Sequence, residues 1–108
     1  KFRDAAKTKN ITLHEGVYIW FCGPNFETPA EIQAAKLLGA AAVGMSTVPE
    51  VILARFYGLN VVAISIITNM AAGMSDKRLT HAHSIENAAK ATSDLQTLLN
   101  EFLLQYNK

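Results

Sequence analysis

Apolar and polar positions along this chain switch between two spacings, and the alternation predicts strands separated by helices. Gly16-Val17-Tyr18-Ile19-Trp20-Phe21 is a short run rich in β-branched and aromatic residues, which predicts a buried strand. A second short strand is expected from Ala41 to Met45. Val61 to Thr68 is almost wholly apolar and β-branched, the pattern of a central strand covered on both faces.

Helical spacings fill the intervals. Residues 1–9 read as the end of a helix. Thr28-Pro29-Ala30-Glu31 sets a capping hydroxyl, a proline at the first helical position and a glutamate at the third, which together satisfy the orphan amides of a helix start. Ile32, Ala35 and Leu38 supply its apolar face, and Gly39 ends it. Thr47-Val48-Pro49-Glu50 repeats the capping logic, with Ser46 and Thr47 competing for the cap, and opens a helix through Phe56 that stops at Gly58. From about Thr80, the positions Ile85, Ala88, Thr92, Leu95, Leu98 and Phe102 keep helical spacing. They predict one long amphipathic terminal helix.

Strands alternating with helices define the α/β class, a sheet with helices on both sides. Three strands make a thin sheet. The Val61–Thr68 strand expects neighbours on both edges, and only one flank could be well supplied from within this chain. A further segment is therefore expected to belong to the fold. With 108 residues, there is room for one domain at most.

Composition narrows the function classes. Hydrophobic residues make up 50% and charged residues 18%, a globular and not a disordered balance. The net charge is +1 and the basic residues are scattered, so no stripe exists to pair with a phosphate backbone and nucleic acid is excluded as a partner. A single cysteine, Cys22, reads as a small buried hydrophobe and suits a reducing compartment. No apolar run approaches the ~20 residues of a spanning helix, and the charged opening Lys1-Phe2-Arg3-Asp4 is unlike a signal peptide. The expected location is the cytoplasm, away from membranes.

In open sheets of this kind, ligands gather where strands end and loops begin. Three strand ends here carry polar residues that the strands do not need: Asn25-Phe26-Glu27, Met45-Ser46 and Thr68-Asn69. A carboxylate, an amide, hydroxyls, a ring and a thioether converging on one sheet edge suit a flat, polar-rimmed heterocycle attached to a sugar. Each residue also has a plainer explanation. Glu27 could be a solvated group near the positive end of a helix, Asn69 could simply terminate a strand, and Phe26 and Met45 could be packing residues.

Taken together, Gly23-Pro24-Asn25-Phe26-Glu27-Thr28, Val43-Gly44-Met45-Ser46-Thr47-Val48-Pro49-Glu50-Val51 and Ile67-Thr68-Asn69 resemble the three C-terminal motifs of homotrimeric purine nucleoside phosphorylases, in order and spacing. The bacterial branch acting on inosine, guanosine and xanthosine is most similar, through Asn25 and Asn69-Met70-Ala71. The resemblance implies that residues 1–108 are the C-terminal segment of one nucleoside phosphorylase domain, an α/β/α fold with a central mixed sheet. It implies phosphorolysis, in which inorganic phosphate attacks the ribose carbon C1′ and releases a free purine and ribose 1-phosphate. No metal and no cofactor are implied, only phosphate as co-substrate, and the partners implied are the nucleoside and two further copies of the chain.

By family role, Glu27 accepts from the purine N1–H and Asn69 donates to N7 or O6, where charge accumulates as the glycosidic bond breaks. Phe26 packs on the base, Met45 lies under the ribose, Ser46 binds phosphate and Thr68 lines the site. His81 matches the histidine that reaches the ribose 5′-hydroxyl, with His83 as the competing choice. The family's glycine-rich phosphate loop, its phosphate-gripping arginine and the aromatic residue contributed across the trimer interface have no counterpart in these residues. A catalytically incomplete segment that at most binds purine, or associates with partner chains, is the alternative.

Overall fold

The computed structural model describes residues 1–75 and 80–106, and the side chains of His81, His83 and Lys90 lie outside the described set. The elements run α1 (Phe2–Thr8), β1 (Tyr18–Trp20), α2 (Pro29–Leu37), β2 (Ala42–Gly44), α3 (Val48–Phe56), α4 (His81–Lys90) and α5 (Thr92–Tyr106). β1 and β2 pair in parallel with Tyr18 opposite Ala42, Ile19 opposite Val43 and Trp20 opposite Gly44. Parallel neighbours need a crossover, and α2 supplies it. The α/β class expected from the sequence is therefore present, with a small parallel sheet.

α2 begins as its sequence dictates. Thr28 Oγ1 accepts the Glu31 N–H at 3.2 Å, and Glu31 Oε2 accepts the Thr28 N–H at 2.7 Å, a reciprocal capping box. The backbone N–H and then the hydroxyl of Thr28, both bonded to this carboxylate, hold the Glu31 carboxyl below its ordinary value of 4.5. Ile32 and Ala35 are buried as expected, but Leu38 is 76% exposed; it follows the last helical residue, where the chain turns off the buried face.

Four further expectations are corrected. Neither Ser46 nor Thr47 caps α3: Thr47 sits at φ 77°, ψ −54° and makes no side-chain cap bond, and the two hydroxyls lie 3.2 Å from each other instead. The terminal helix breaks at Ala91, whose N–H reaches back three residues to Ala88 at 3.2 Å while Thr92 Oγ1 donates to the same carbonyl. A threonine bonded back onto the preceding turn competes with regular helical bonding. Cys22 is exposed, because it lies past the last ladder residue of β1. The strand expected over 16–21 is not buried either: Val17, ahead of β1, is 61% exposed, and Trp20 also faces water.

The largest correction concerns Val61–Thr68, which forms no strand among the described residues. The backbone of 61–67 bonds to no other backbone group there, and Val62 and Ile67 are exposed. β-branched, apolar composition records the burial a segment is suited to. A ladder needs a neighbour offering N–H and C=O groups at matching spacing, and among the described residues no such backbone bond forms along this stretch.

The packed core lies elsewhere, between the two ends of the chain. Ala5 and Ala6 of α1 and Leu98 of α5 are buried, with Phe2, Ile11 and Phe102 packed against them. Two successive alanines let α5 approach closely, and the Phe2 and Phe102 rings stack with centroids 3.9 Å apart. Lys9 and Glu101 pair at 3.1 Å beside this contact.

Candidate functional site

Three loops follow β1, β2 and the 61–68 segment, and backbone geometry brings them together. Gly23, at φ 68°, has Met45 so close that an added Cβ would lie 2.5 Å from its sulfur, so the first loop lies directly on the second. Gly73, at φ 75°, approaches Pro29 so closely that a Cβ would come within 2.9 Å of the proline Cβ. The third loop thus rests on the start of α2, two residues from Glu27. The left-handed backbone favours glycine at both positions, and at Gly73 the proline also leaves a Cβ no room.

In the first loop, Glu27 is half-buried and Phe26 is exposed. Glu27 Oε1 is fully shielded and has no hydrogen-bond partner among the described residues. A carboxylate oxygen removed from water without a partner is destabilising.

In the second loop, the Val48 N–H donates to the Ser46 carbonyl at 2.8 Å across Thr47. With Thr47 at φ 77° and ψ −54° this is a tight γ-turn, a strained conformation for a β-branched residue. The turn holds the Ser46 hydroxyl beside that of Thr47, while the Ser46 N–H donates to Tyr18 Oη at 3.4 Å. Met45 is exposed at the same corner.

In the third loop, Asn69 is half-buried and its amide is held at both ends. Oδ1 accepts the Ala71 N–H at 2.9 Å; Nδ2 donates to Thr68 Oγ1 at 2.9 Å and, more loosely, to Ser84 Oγ at 3.5 Å. Reversing the amide would set an NH2 against the Ala71 N–H, donor facing donor, so the observed orientation is the one that satisfies both ends. Asn87 Nδ2 donates to the Thr68 carbonyl at 2.7 Å.

Ser46, Thr68 and Asn69 line one open cavity of about 530 Å³ together with Tyr18, Thr47 and Met70. Phe26, Glu27 and Met45 are not part of its lining. The sequence-predicted residues therefore fall into two groups at the same end of the sheet, one inside this cavity and one on the adjoining first-loop corner. His81 begins α4, and its side chain lies outside the described residues, as does that of His83. Among the described residues no three His, Cys, Asp or Glu side chains cluster as metal ligands would.

Sequence reasoning passed over Tyr18, Ser84 and Asn87. Tyr18 was legible only as a strand residue. Ser84 and Asn87 stand three apart on α4 and so share a helix face; that polar spacing was the available signal, but their partners lie 15 and 19 residues away.

The sequence profile of the Phosphorylase superfamily matches residues 1–104, and the chain belongs to that superfamily. It is 50% identical over 92 residues to purine nucleoside phosphorylase 1 of Geobacillus stearothermophilus, covering 85% of this chain and 34% of that protein. It is 43% identical over 96 residues to the 6-oxopurine nucleoside phosphorylase of Pyrococcus furiosus, covering 88% and 36%. Among solved structures, the purine nucleoside phosphorylase of Schistosoma mansoni in complex with inosine superposes with a TM-score of 0.87 at 33% identity, over 94% of this chain and 38% of that one. A complex of the same enzyme with adenosine gives 0.88 at 32% identity. The chain spans about a third of the length of the curated relatives it matches. The resemblance carried by the three motifs holds at the level of the family and its fold.

Proposed function

We propose that this chain carries the base-recognising part of a purine nucleoside phosphorylase that prefers 6-oxopurine nucleosides: inosine, guanosine and their deoxy forms. The reaction is phosphorolysis to free purine and (deoxy)ribose 1-phosphate, as used in purine salvage, by a cytoplasmic homotrimer. The observation that carries the reading is the shielded, unpartnered Oε1 of Glu27. A carboxylate left without a donor at the loop end of a sheet is accounted for if a ligand supplies the donor, and a protonated purine N1 is such a group.

The amide of Asn69 supports the choice among purines. Its carbonyl oxygen is committed to Ala71, so what it offers a base is N–H. A 6-oxopurine accepts at N7 and O6, whereas a 6-amino group is a donor and faces this amide badly. As negative charge moves into the base during bond cleavage, a donor at N7 or O6 lowers the barrier; removing such a donor costs on the order of 10²–10³ in rate. Met45 and Phe26 give apolar surface for ribose and base, Thr68 lines the site beside Asn69, and the family role toward the ribose 5′-hydroxyl falls to His81, with His83 as the competing choice. Ser46, held by the γ-turn at the start of α3, meets phosphate through its hydroxyl or its N–H.

A second reading is that these residues bind purine without turnover. Incubating the chain with inosine, with and without phosphate, and following hypoxanthine release separates the two. Phosphate-dependent release supports the enzyme; hypoxanthine binding without release supports the second reading; absence of both overturns the base-binding assignment.

A further inference from the structure

We propose that Ser84 and Asn87, on one face of α4, are positioning residues that set how Asn69 presents its amide to the base, and so set the selectivity between 6-oxo and 6-amino purines. The inference rests on the assignment of Asn69 as the base donor.

Asn87 Nδ2 donates to the Thr68 carbonyl at 2.7 Å. That carbonyl belongs to the peptide whose nitrogen is Asn69, so the bond fixes the plane from which the Asn69 side chain departs. Ser84 acts on the other end of the same side chain. Its hydroxyl donates to the Thr80 carbonyl at 3.4 Å, which turns an oxygen lone pair toward Asn69 Nδ2 at 3.5 Å. Asn69 Nδ2 carries two protons. One is held firmly by Thr68 Oγ1 at 2.9 Å; the other meets Ser84 at the outer limit of a hydrogen bond.

This asymmetry is useful. A half-buried donor with no partner is destabilising, so Ser84 keeps the second proton satisfied when no base is present. A contact of 3.5 Å is weak enough for purine N7 or O6 to take that proton over. A shorter bond would compete with the base; without it the amide, still held by Ala71 and Thr68, would lose the acceptor that fixes its second proton and would present that proton to position 6 less sharply. Since Ser84 and Asn87 both come from α4, a displacement of that helix would reach Asn69 through two bonds at once.

The test uses the whole chain and the variants Ser84→Ala, Ser84→Thr and Asn87→Ala. The first readout is the side-chain amide signal of Asn69 in ¹⁵N NMR without ligand, assigned by its loss in Asn69→Ala. The second is the affinity for hypoxanthine and adenine by calorimetry. Ser84→Ala and Asn87→Ala should each shift or broaden the Asn69 amide signal and reduce the hypoxanthine-to-adenine affinity ratio, by about threefold and about tenfold. Ser84→Thr, which keeps the hydroxyl, should restore both. Thermal melts accompany each variant, and if Asn87→Ala does not fold the serine pair decides alone. An unchanged Asn69 signal, or an unchanged ratio, in Ser84→Ala overturns the proposal even if hypoxanthine binds. Absence of hypoxanthine binding by the unaltered chain removes the base assignment and this proposal with it, and is distinguished because no variant is needed to see it.

Discussion

Asn69 Oδ1 accepts the backbone N–H of Ala71 at 2.9 Å, and this bond decides which end of the amide is left to meet a ligand. Donor and acceptor stand two residues apart, so the side chain closes an Asx-turn onto its own loop. A residue that in sequence could be a simple strand terminator is thereby turned into an oriented donor.

Replacing Asn69 by Asp keeps the acceptor for Ala71 and converts the other end from donor to acceptor. Hypoxanthine affinity should fall by about tenfold or more, while adenine, which offers a 6-amino donor, should lose less or gain. Calorimetry with both bases checks this. Equal losses for the two would mean that the amide does not read position 6.

Glu27 should show opposite effects on stability and binding. Truncation to Ala removes the shielded, unpartnered oxygen, so the melting temperature of the unliganded chain should rise by a few degrees. Hypoxanthine binding should weaken by about tenfold or more. A melt that falls on truncation would show that Glu27 has a structural partner and is not waiting for a ligand.

The capping box of α2 gives a pH-dependent prediction. Hydrogen bonds from Thr28 lower the Glu31 carboxyl below 4.5. A group whose value is depressed on folding stabilises the fold above its unfolded value, and the contribution is lost as pH falls through the lowered one. Thr28→Ala should lower the melting temperature by roughly 4 °C or more at pH 7. The gap between variant and parent should narrow below the ordinary glutamate range. A gap independent of pH would show that the Thr28 hydroxyl does not bond the Glu31 carboxylate in solution.

The 61–67 segment bonds to no other backbone group among the described residues. Its amides should therefore exchange hydrogen far faster than those of α2, whose ladder is complete. Hydrogen-exchange mass spectrometry reads both in one experiment. Protection of 61–67 equal to that of α2 would require a strand neighbour.

The parts of this structure legible in the sequence are those with local causes. The start of α2 follows from four consecutive residues, Thr28 to Glu31, and forms as read. Helix limits at Leu37 and Phe56 follow from Gly39 and Gly58. Non-local causes were not legible. Val61–Thr68 has the composition of a central strand, but pairing depends on a neighbour that its own residues cannot specify. Thr47 has the chemistry of a cap, but its γ-turn points the hydroxyl elsewhere. The site shows the same division. Three motifs marked Glu27, Ser46 and Asn69, while Ser84 and Asn87, which brace the third loop from a distant helix, left only a polar helical spacing.

The central claim is that Glu27 and Asn69 hold the same base, and a crystal structure of the chain with hypoxanthine tests it most directly. The account predicts the purine between the first and third loops, with N1 within hydrogen-bond distance of Glu27 and N7 or O6 within reach of Asn69 Nδ2. A base bound away from either side chain, or these two residues on opposite sides of the sheet, would contradict it.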